Sequence, residues 1–166
     1  FIDGSDPTSS SPLERVIGAV LDESDDALPT EADLEAMDED ERKVVETMMV
    51  MREGQQAFRS KLMAAYGNAC AVTGTAVPRA LDAAHISDYK GKHTQEVTNG
   101  LLLRTDLHRL FDAKLITVTP DLVLRVSPDL WGSPYQDLDG QVISVPSAQT
   151  KQPNANLLKK HNDLCA

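Results

Sequence analysis

His85, Asn99 and His108 follow one another at spacings of 14 and 9 residues, and Asp112 stands four beyond the second histidine. They lie in two short words, Leu81-Asp-Ala-Ala-His-Ile86 and Asn99-Gly-Leu-Leu-Leu-Arg-Thr-Asp-Leu-His108. A neutral imidazole, with an ordinary pKa of about 6.5, can take a proton from water at neutral pH. A histidine and a carboxylate one helical turn apart share a helix face and can grip one divalent cation. A base on one side of a phosphate and a cation on the other would supply what phosphodiester hydrolysis requires. The attacking water must lose a proton, and charge on the phosphoryl and departing oxygens must be stabilised. Each residue also has a plainer reading. A lone histidine at a strand end is commonly structural, an i,i+4 His/Asp pair is commonly a surface contact, and Asn-Gly is commonly a turn.

The elements that must position these residues follow from pattern. Residues 80–86 read as a short strand ending at His85, and 101–103 as a buried apolar run. Thr105 is a suitable cap for a helix over 106–113, with Leu107, Leu110 and Phe111 facing a core and His108 and Asp112 left free. Between the two halves, 88–98 is a polar loop carrying Lys90, Lys92 and His93. Upstream, 13–21 predicts a short amphipathic helix, 22–26 an acidic turn, and Thr30 the start of one or two helical turns over 32–37. A longer helix is expected from Asp38, with Val44, Val45, Met48, Met49 and Met51 near helical spacing as core candidates. Gly54 reads as punctuation before a separate helix over 55–66, with Phe58, Leu62, Met63 and Tyr66 on one face and Gly67-Asn68 as its end. Residues 70–74 read as a strand running into a tight turn. Downstream, 115–118 and 122–126 predict a hairpin about Pro120-Asp121, Trp131 a packed plug, 142–145 a last strand and 154–163 a terminal helix. His161 is expected to face solvent.

The formal charge of -10 argues against a nucleic-acid partner, but it is unevenly spread. Residues 1–50 hold 15 acids against three basic residues, a balance of -12, whereas 51–166 carry +2 and all four histidines. The acidity therefore belongs to a separate segment, read as 1–37, of linker and helical character. Two cysteines, Cys70 and Cys165, are too few for a disulfide framework or a four-cysteine zinc site, so a reducing cytoplasm is the default. No apolar run suggests a membrane span. The start at Phe1 lacks the pattern of a secretory signal and suggests a processed chain or a piece of a longer one.

The wider text matches as well. Arg52-Glu-Gly-Gln-Gln-Ala-Phe-Arg59, Ala65-Tyr66, Cys70-Ala-Val-Thr-Gly74, Ala83-Ala-His-Ile86, Asn99-Gly-Leu-Leu-Leu-Arg104 and Asp106-Leu-His-Arg-Leu-Phe-Asp112 together resemble the HNH endonuclease family. The branch is the one found at the C-terminal end of bacterial restriction-type proteins. Ser127-Pro128, Tyr135, Leu138-Asp-Gly140, Val145-Pro146, Leu158 and His161 extend the resemblance over about residues 52–164. It implies an α+β fold: a ββα-metal (HNH) nuclease core over about 55–126, within a domain of 38–166, with N-terminal helices and short flanking strands. It also implies His85 as the base, His108 as a metal ligand, and Asn99 as the residue that pins the loop orienting His85.

Two departures from the family pattern stand out. Many HNH sites place a second ligand directly before the base histidine, where this chain has Ala84. Asp112 is then the better second ligand, and Asp82, which strand alternation points away from His85, the weaker one. Paired cysteines that brace some HNH folds are also missing: Thr73 stands where a partner for Cys70 would be, so Cys70 is read as a small buried residue. Lys90, Lys92, Arg104 and Arg109 are the candidate phosphate contacts, with solvated surface charge as the alternative. Few aromatics are free to stack on bases, which favours double-stranded DNA.

The resulting expectation is a metal-dependent DNA endonuclease of the bacterial cytoplasm, the cleavage module of a restriction or anti-phage defence protein. Its cofactor would be one divalent ion, Mg²⁺ or Mn²⁺, with Ni²⁺, Co²⁺ or Zn²⁺ as alternatives. A sensor or recognition domain is expected outside this stretch, and a homodimer is left open. The alternative is a catalytically weak ββα module that binds DNA or a partner protein.

Overall fold

The computed structural model describes residues 11–21, 29–88, 90 and 94–165. Residues 1–10 of the linker read at 1–12, the acidic turn at 22–26, Lys92 and His93 lie outside the described residues. The chain divides into two compact units, Phe1–Gly54 and Gln55–Ala166.

The first unit is helical. Helix α1 spans Pro12–Leu21, α2 spans Glu31–Glu35, and α3 starts at Glu39. Thr30 starts α2 because its hydroxyl accepts from the Asp33 N–H at 3.2 Å while the Asp33 carboxylate accepts from the Thr30 N–H at 3.1 Å. That reciprocal pair satisfies two of the donors that a helix start leaves unbonded. Val16, Met37 and Val45 are buried together, flanked by Leu13, Leu34 and Met49. Of the expected core stripe on α3, Val44 and Met51 are in fact exposed.

No helix break occurs at Gly54. Helix α3 runs from Glu39 to Ala65 without interruption. An interior glycine costs a helix only about 1 kcal/mol relative to alanine, and good helix formers flank this one. The end is as expected: Gly67 and Asn68 both take left-handed backbone, with φ of 62° and 57°.

The second unit is built on an antiparallel hairpin. Strand β1, Leu81–His85, pairs with β2, Gly100–Arg104, in a register that sets His85 opposite Gly100 and Leu81 opposite Arg104. Leu101, Leu102 and Leu103 are all buried, because β2 is covered on both faces. Phe58 and Leu62 of α3 press on Gly100 from one side. On the other packs α4, Thr105–Asp112, through Leu107 and Phe111. Thr105 is the first residue of this helix rather than its cap; Arg104 holds the cap position, and its side chain makes no capping bond.

A second hairpin, β3 (Ile116–Val118) with β4 (Leu124–Val126), and the terminal helix α5 (Ala155–Asp163) close the core. Asn154 caps α5, accepting from the Asn156 and Leu157 N–H groups.

Four further expectations are corrected. Residues 70–74 form turns, not a strand. The Cys70 sulfur is buried, as expected, and accepts from the Thr73 and Arg104 N–H groups at 3.5 and 3.3 Å, so a turn rather than a ladder uses this backbone. Residues 142–145 make a single bridge, Val142 to Val123, instead of a strand. Trp131 is 64% exposed and plugs nothing. His161 is buried, not solvent-facing: it stacks on Phe111 with ring centroids 3.8 Å apart, and its ring nitrogens meet the Thr117 hydroxyl and the Phe111 carbonyl at 2.9 and 3.2 Å.

Candidate active site

His85 and His108 reach one cleft from different elements. His85 closes β1 and His108 sits in the middle of α4. Both line a cleft of about 340 Å³ together with Gln55, Ala83, Asp88, Asp112 and Lys114. Ala83 and His85 share a strand face by alternation.

His85 is held as a flat plate. Its ring stacks on Phe58 at 4.1 Å between centroids and 11° between planes. Burial depresses its pKa below the ordinary histidine value, and the neighbouring His108 pushes the same way, against the opposing pull of Asp112 and Asp88. The ring is therefore neutral at neutral pH, the form that accepts a proton.

Gly100 makes that stack geometrically affordable. A Cβ there would lie 2.6 Å from Leu62 Cδ1 and 2.7 Å from Phe58 Cζ, closer than side chains pack. Gly100 thus serves packing, in extended backbone, directly after a short 3-10 turn that ends at Asn99.

Asn99 is buried at the mouth of the connection between β1 and β2. Its side-chain oxygen accepts from the Ser87 N–H at 2.9 Å, and its amide donates to the carbonyls of Ser87 and Thr94 at 3.1 and 2.8 Å. Its own carbonyl accepts from the Ile86 N–H at 2.9 Å. These bonds fix the backbone immediately after His85 and staple it to the far end of the loop. Unmade, each would leave a buried polar group at a cost of about 1–3 kcal/mol.

His108 lies between two carboxylates. Its Nδ1 is 3.3 Å from Asp82 Oδ2 and its Nε2 is 3.2 Å from Asp112 Oδ2. With the ring proton on Nδ1, His108 donates to Asp82 and turns the Nε2 lone pair toward Asp112. Two acceptors then face each other with no proton between them. Either a doubly protonated ring or a bound cation resolves that. For a cation bonded at about 2.1 Å, neighbouring octahedral ligands sit about 3 Å apart, so Nε2 and the Asp112 oxygen have suitable spacing. Asp82 then fits the outer position that orients a ligating histidine from its other nitrogen. Ala84 is fully buried and offers no donor, and among the described residues no group of three His, Cys, Asp or Glu side chains converges into a metal cage. The fit is to a cation held by one or two protein groups and completed by water and substrate.

Three of the four expected phosphate contacts are among the described residues, and none of the three lines the cleft. Arg104 stands at the opposite end of the hairpin from His85 and is bound to Asp106 through Nε and Nη2 at 2.7 and 2.8 Å. Asp106 also accepts from the Tyr135 hydroxyl at 2.9 Å, and its carboxyl is held down at about 2, chiefly by Arg104. Lys90 and Arg109 are exposed, and neither lines the cleft. Among the described residues Lys114 is the cation that lines it, and its sole signal in the sequence is its place two residues beyond Asp112. Gln55 and Asp88 complete the lining without a motif to mark them.

No curated protein matches this chain. Among solved structures it is similar to a modification dependent TagI restriction endonuclease, at 19% identity and a TM-score of 0.46 over 63% of this chain. The match covers 35% of that structure, so the present chain spans about a third of its length. A family model described as HNH endonuclease matches residues 70–119. The stretch that carries His85, Asn99, His108 and Asp112 is thereby identified with the HNH endonuclease family.

Proposed function

We propose that this chain is a metal-dependent DNA endonuclease and the cleavage module of a restriction or anti-phage defence protein. The observation that carries the reading is the convergence of a neutral, stacked His85 and the His108–Asp112 pair on one cleft. The HNH match over the same residues supports it.

In this reading a water enters beside His85 and attacks phosphorus. His85 takes its proton, the bond from phosphorus to the 3′ oxygen breaks, the departing oxygen takes a proton from solvent, and a 5′-phosphate and a 3′-hydroxyl remain. A divalent cation, when held by His108 and Asp112, would supply Lewis-acid stabilisation of the phosphoryl and departing oxygens. Asp82 fixes the tautomer and plane of His108. Phe58 fixes the plane of His85, and Asn99 holds the backbone that follows it. A base of this kind contributes about 10²–10⁴-fold to the rate.

A second reading is a ββα module that binds nucleic acid without cutting it. It is favoured by Ala84, which leaves no metal ligand directly before His85. Incubation of supercoiled plasmid with the chain and Mn²⁺ or Mg²⁺, against EDTA, separates the two. Metal-dependent nicking supports the enzyme. Binding without nicking under every divalent ion tried supports the module.

A further inference from the structure

A second cleft of about 320 Å³ shares one residue, Lys114, with the first. It runs along the β3–β4 hairpin, past Thr119, Arg125 and Ser127, with the C-terminal end of α5 at Asn162 and Cys165 as its far wall. In a chain of net charge -10, the described residues that line this cleft include two cations and no acid.

Lys114 is fixed at the junction. Its backbone is left-handed, with φ of 62°, a conformation that favours glycine, yet the chain places a lysine there. The Lys114 N–H bonds the Phe111 carbonyl at 3.1 Å and the Leu115 N–H bonds the Leu110 carbonyl at 2.9 Å, which ends α4 and turns it into β3. Its charge is felt inside the domain: after burial, Lys114 is the next cause that holds His161 down at about 4.

The other wall is equipped to donate. The Thr119 and Ser127 hydroxyl oxygens accept from the Val123 and Asp129 N–H groups at 3.2 and 3.3 Å, which orients each oxygen and leaves its proton to give. Arg125 touches Asp139 at 3.5 Å with its side chain 56% exposed, a pair that exchanges for a phosphate at little cost. The carbonyl end of α5 opposes an anion. Attraction therefore rests on Lys114 and Arg125.

We propose that this cleft carries the DNA backbone flanking the scissile phosphate, with Lys114 contacting the phosphate at the junction and Arg125 a neighbouring one. The inference rests on the nuclease reading and adds to it the path of the strand.

The test is the salt dependence of binding to a short fluorescent duplex in EDTA, for the parent, Lys114→Gln, Arg125→Gln, the double variant and Lys160→Gln. Lys160 is exposed on α5 and lines neither cleft. Each lost phosphate contact lowers the slope of log K against log salt by about 0.9. The expected result is that drop in each single variant, about twice it in the double, none in Lys160→Gln, and recovery in Lys114→Arg. Should Lys114→Gln fold poorly, Lys114→Gly suits the left-handed backbone and removes the same charge. Slopes equal to the parent's, or an equal drop in Lys160→Gln, overturn the proposal while a parent that nicks plasmid leaves the nuclease reading intact. A parent that neither binds nor nicks overturns both.

Discussion

Alanine at Gly100 adds one methyl group where no space exists for it. The new carbon would lie 2.6 and 2.9 Å from the two Leu62 methyls and 2.7 Å from the tip of Phe58. Both neighbours are fully buried, so neither can swing into solvent. Overpacking of this kind costs roughly 1–3 kcal/mol. Each kcal/mol lowers the melting point of a domain of this size by about 4 °C, so a fall of about 4–12 °C is expected. The effect on function is separate. Phe58 carries the His85 ring at 4.1 Å, and a shift of the phenyl moves the base with it. A displacement of about 1 Å at a reacting group can cost about 100-fold in rate. His108 and Asp112 sit on α4, away from the clash, so Mn²⁺ affinity should be unchanged. Scanning calorimetry, plasmid nicking and Mn²⁺ titration on the one variant decide the matter. A variant with parental melting point and nicking rate would refute the packing argument. One that loses Mn²⁺ affinity along with activity would refute the separation of base from ligand.

Three further outcomes follow from the same geometry. Asn99→Ala removes the three side-chain bonds that join Ser87 to Thr94; it should lower the melting point and the nicking rate together while Mn²⁺ affinity holds, and full activity would reduce Asn99 to packing. Because burial keeps the folded pKa of His85 below its ordinary value, the acid limb of the rate–pH profile should lie below pH 6.5; a limb above that value would point to another base. His161 is held down to about 4, so the native state resists its protonation: its contribution to stability is complete above about pH 6.5 and declines as the pH falls toward 4. Thermal melts across that window should show a fall that is much smaller in His161→Gln, and equal falls in both proteins would remove His161 from the cause.

The hairpin and helix that carry the site were legible because local pattern and burial agree there. Leu101 to Leu103 form a continuous apolar run, as a strand covered on both faces requires. The spacing of Leu107 and Phe111 leaves His108 and Asp112 on the outer face of α4. Where local signals and tertiary packing conflict, sequence reading failed. Gly54 looked like a stop, but helix formers on both sides carry α3 through it. His161 looked polar, yet Leu158 three residues earlier places it on the apolar face of α5, where it stacks on Phe111. Lys114 and Gln55 enter the cleft through a left-handed residue and a distant helix, neither of which leaves a trace in the spacing of the motif. Asp82, turned away from His85 by strand alternation, meets the His108 ring at 3.3 Å across the contact of α4 with β1, a pairing that the spacing of the motif does not reveal.

The division of labour between the two histidines is the centre of the account, and it is tested by measuring Mn²⁺ affinity and plasmid nicking side by side in His85→Ala and His108→Ala. Both variants should lose nicking. Only His108→Ala should lose Mn²⁺ affinity, while His85→Ala binds the ion as the parent does. A His108→Ala protein that binds Mn²⁺ with parental affinity, or a His85→Ala protein that nicks at the parental rate, would contradict it.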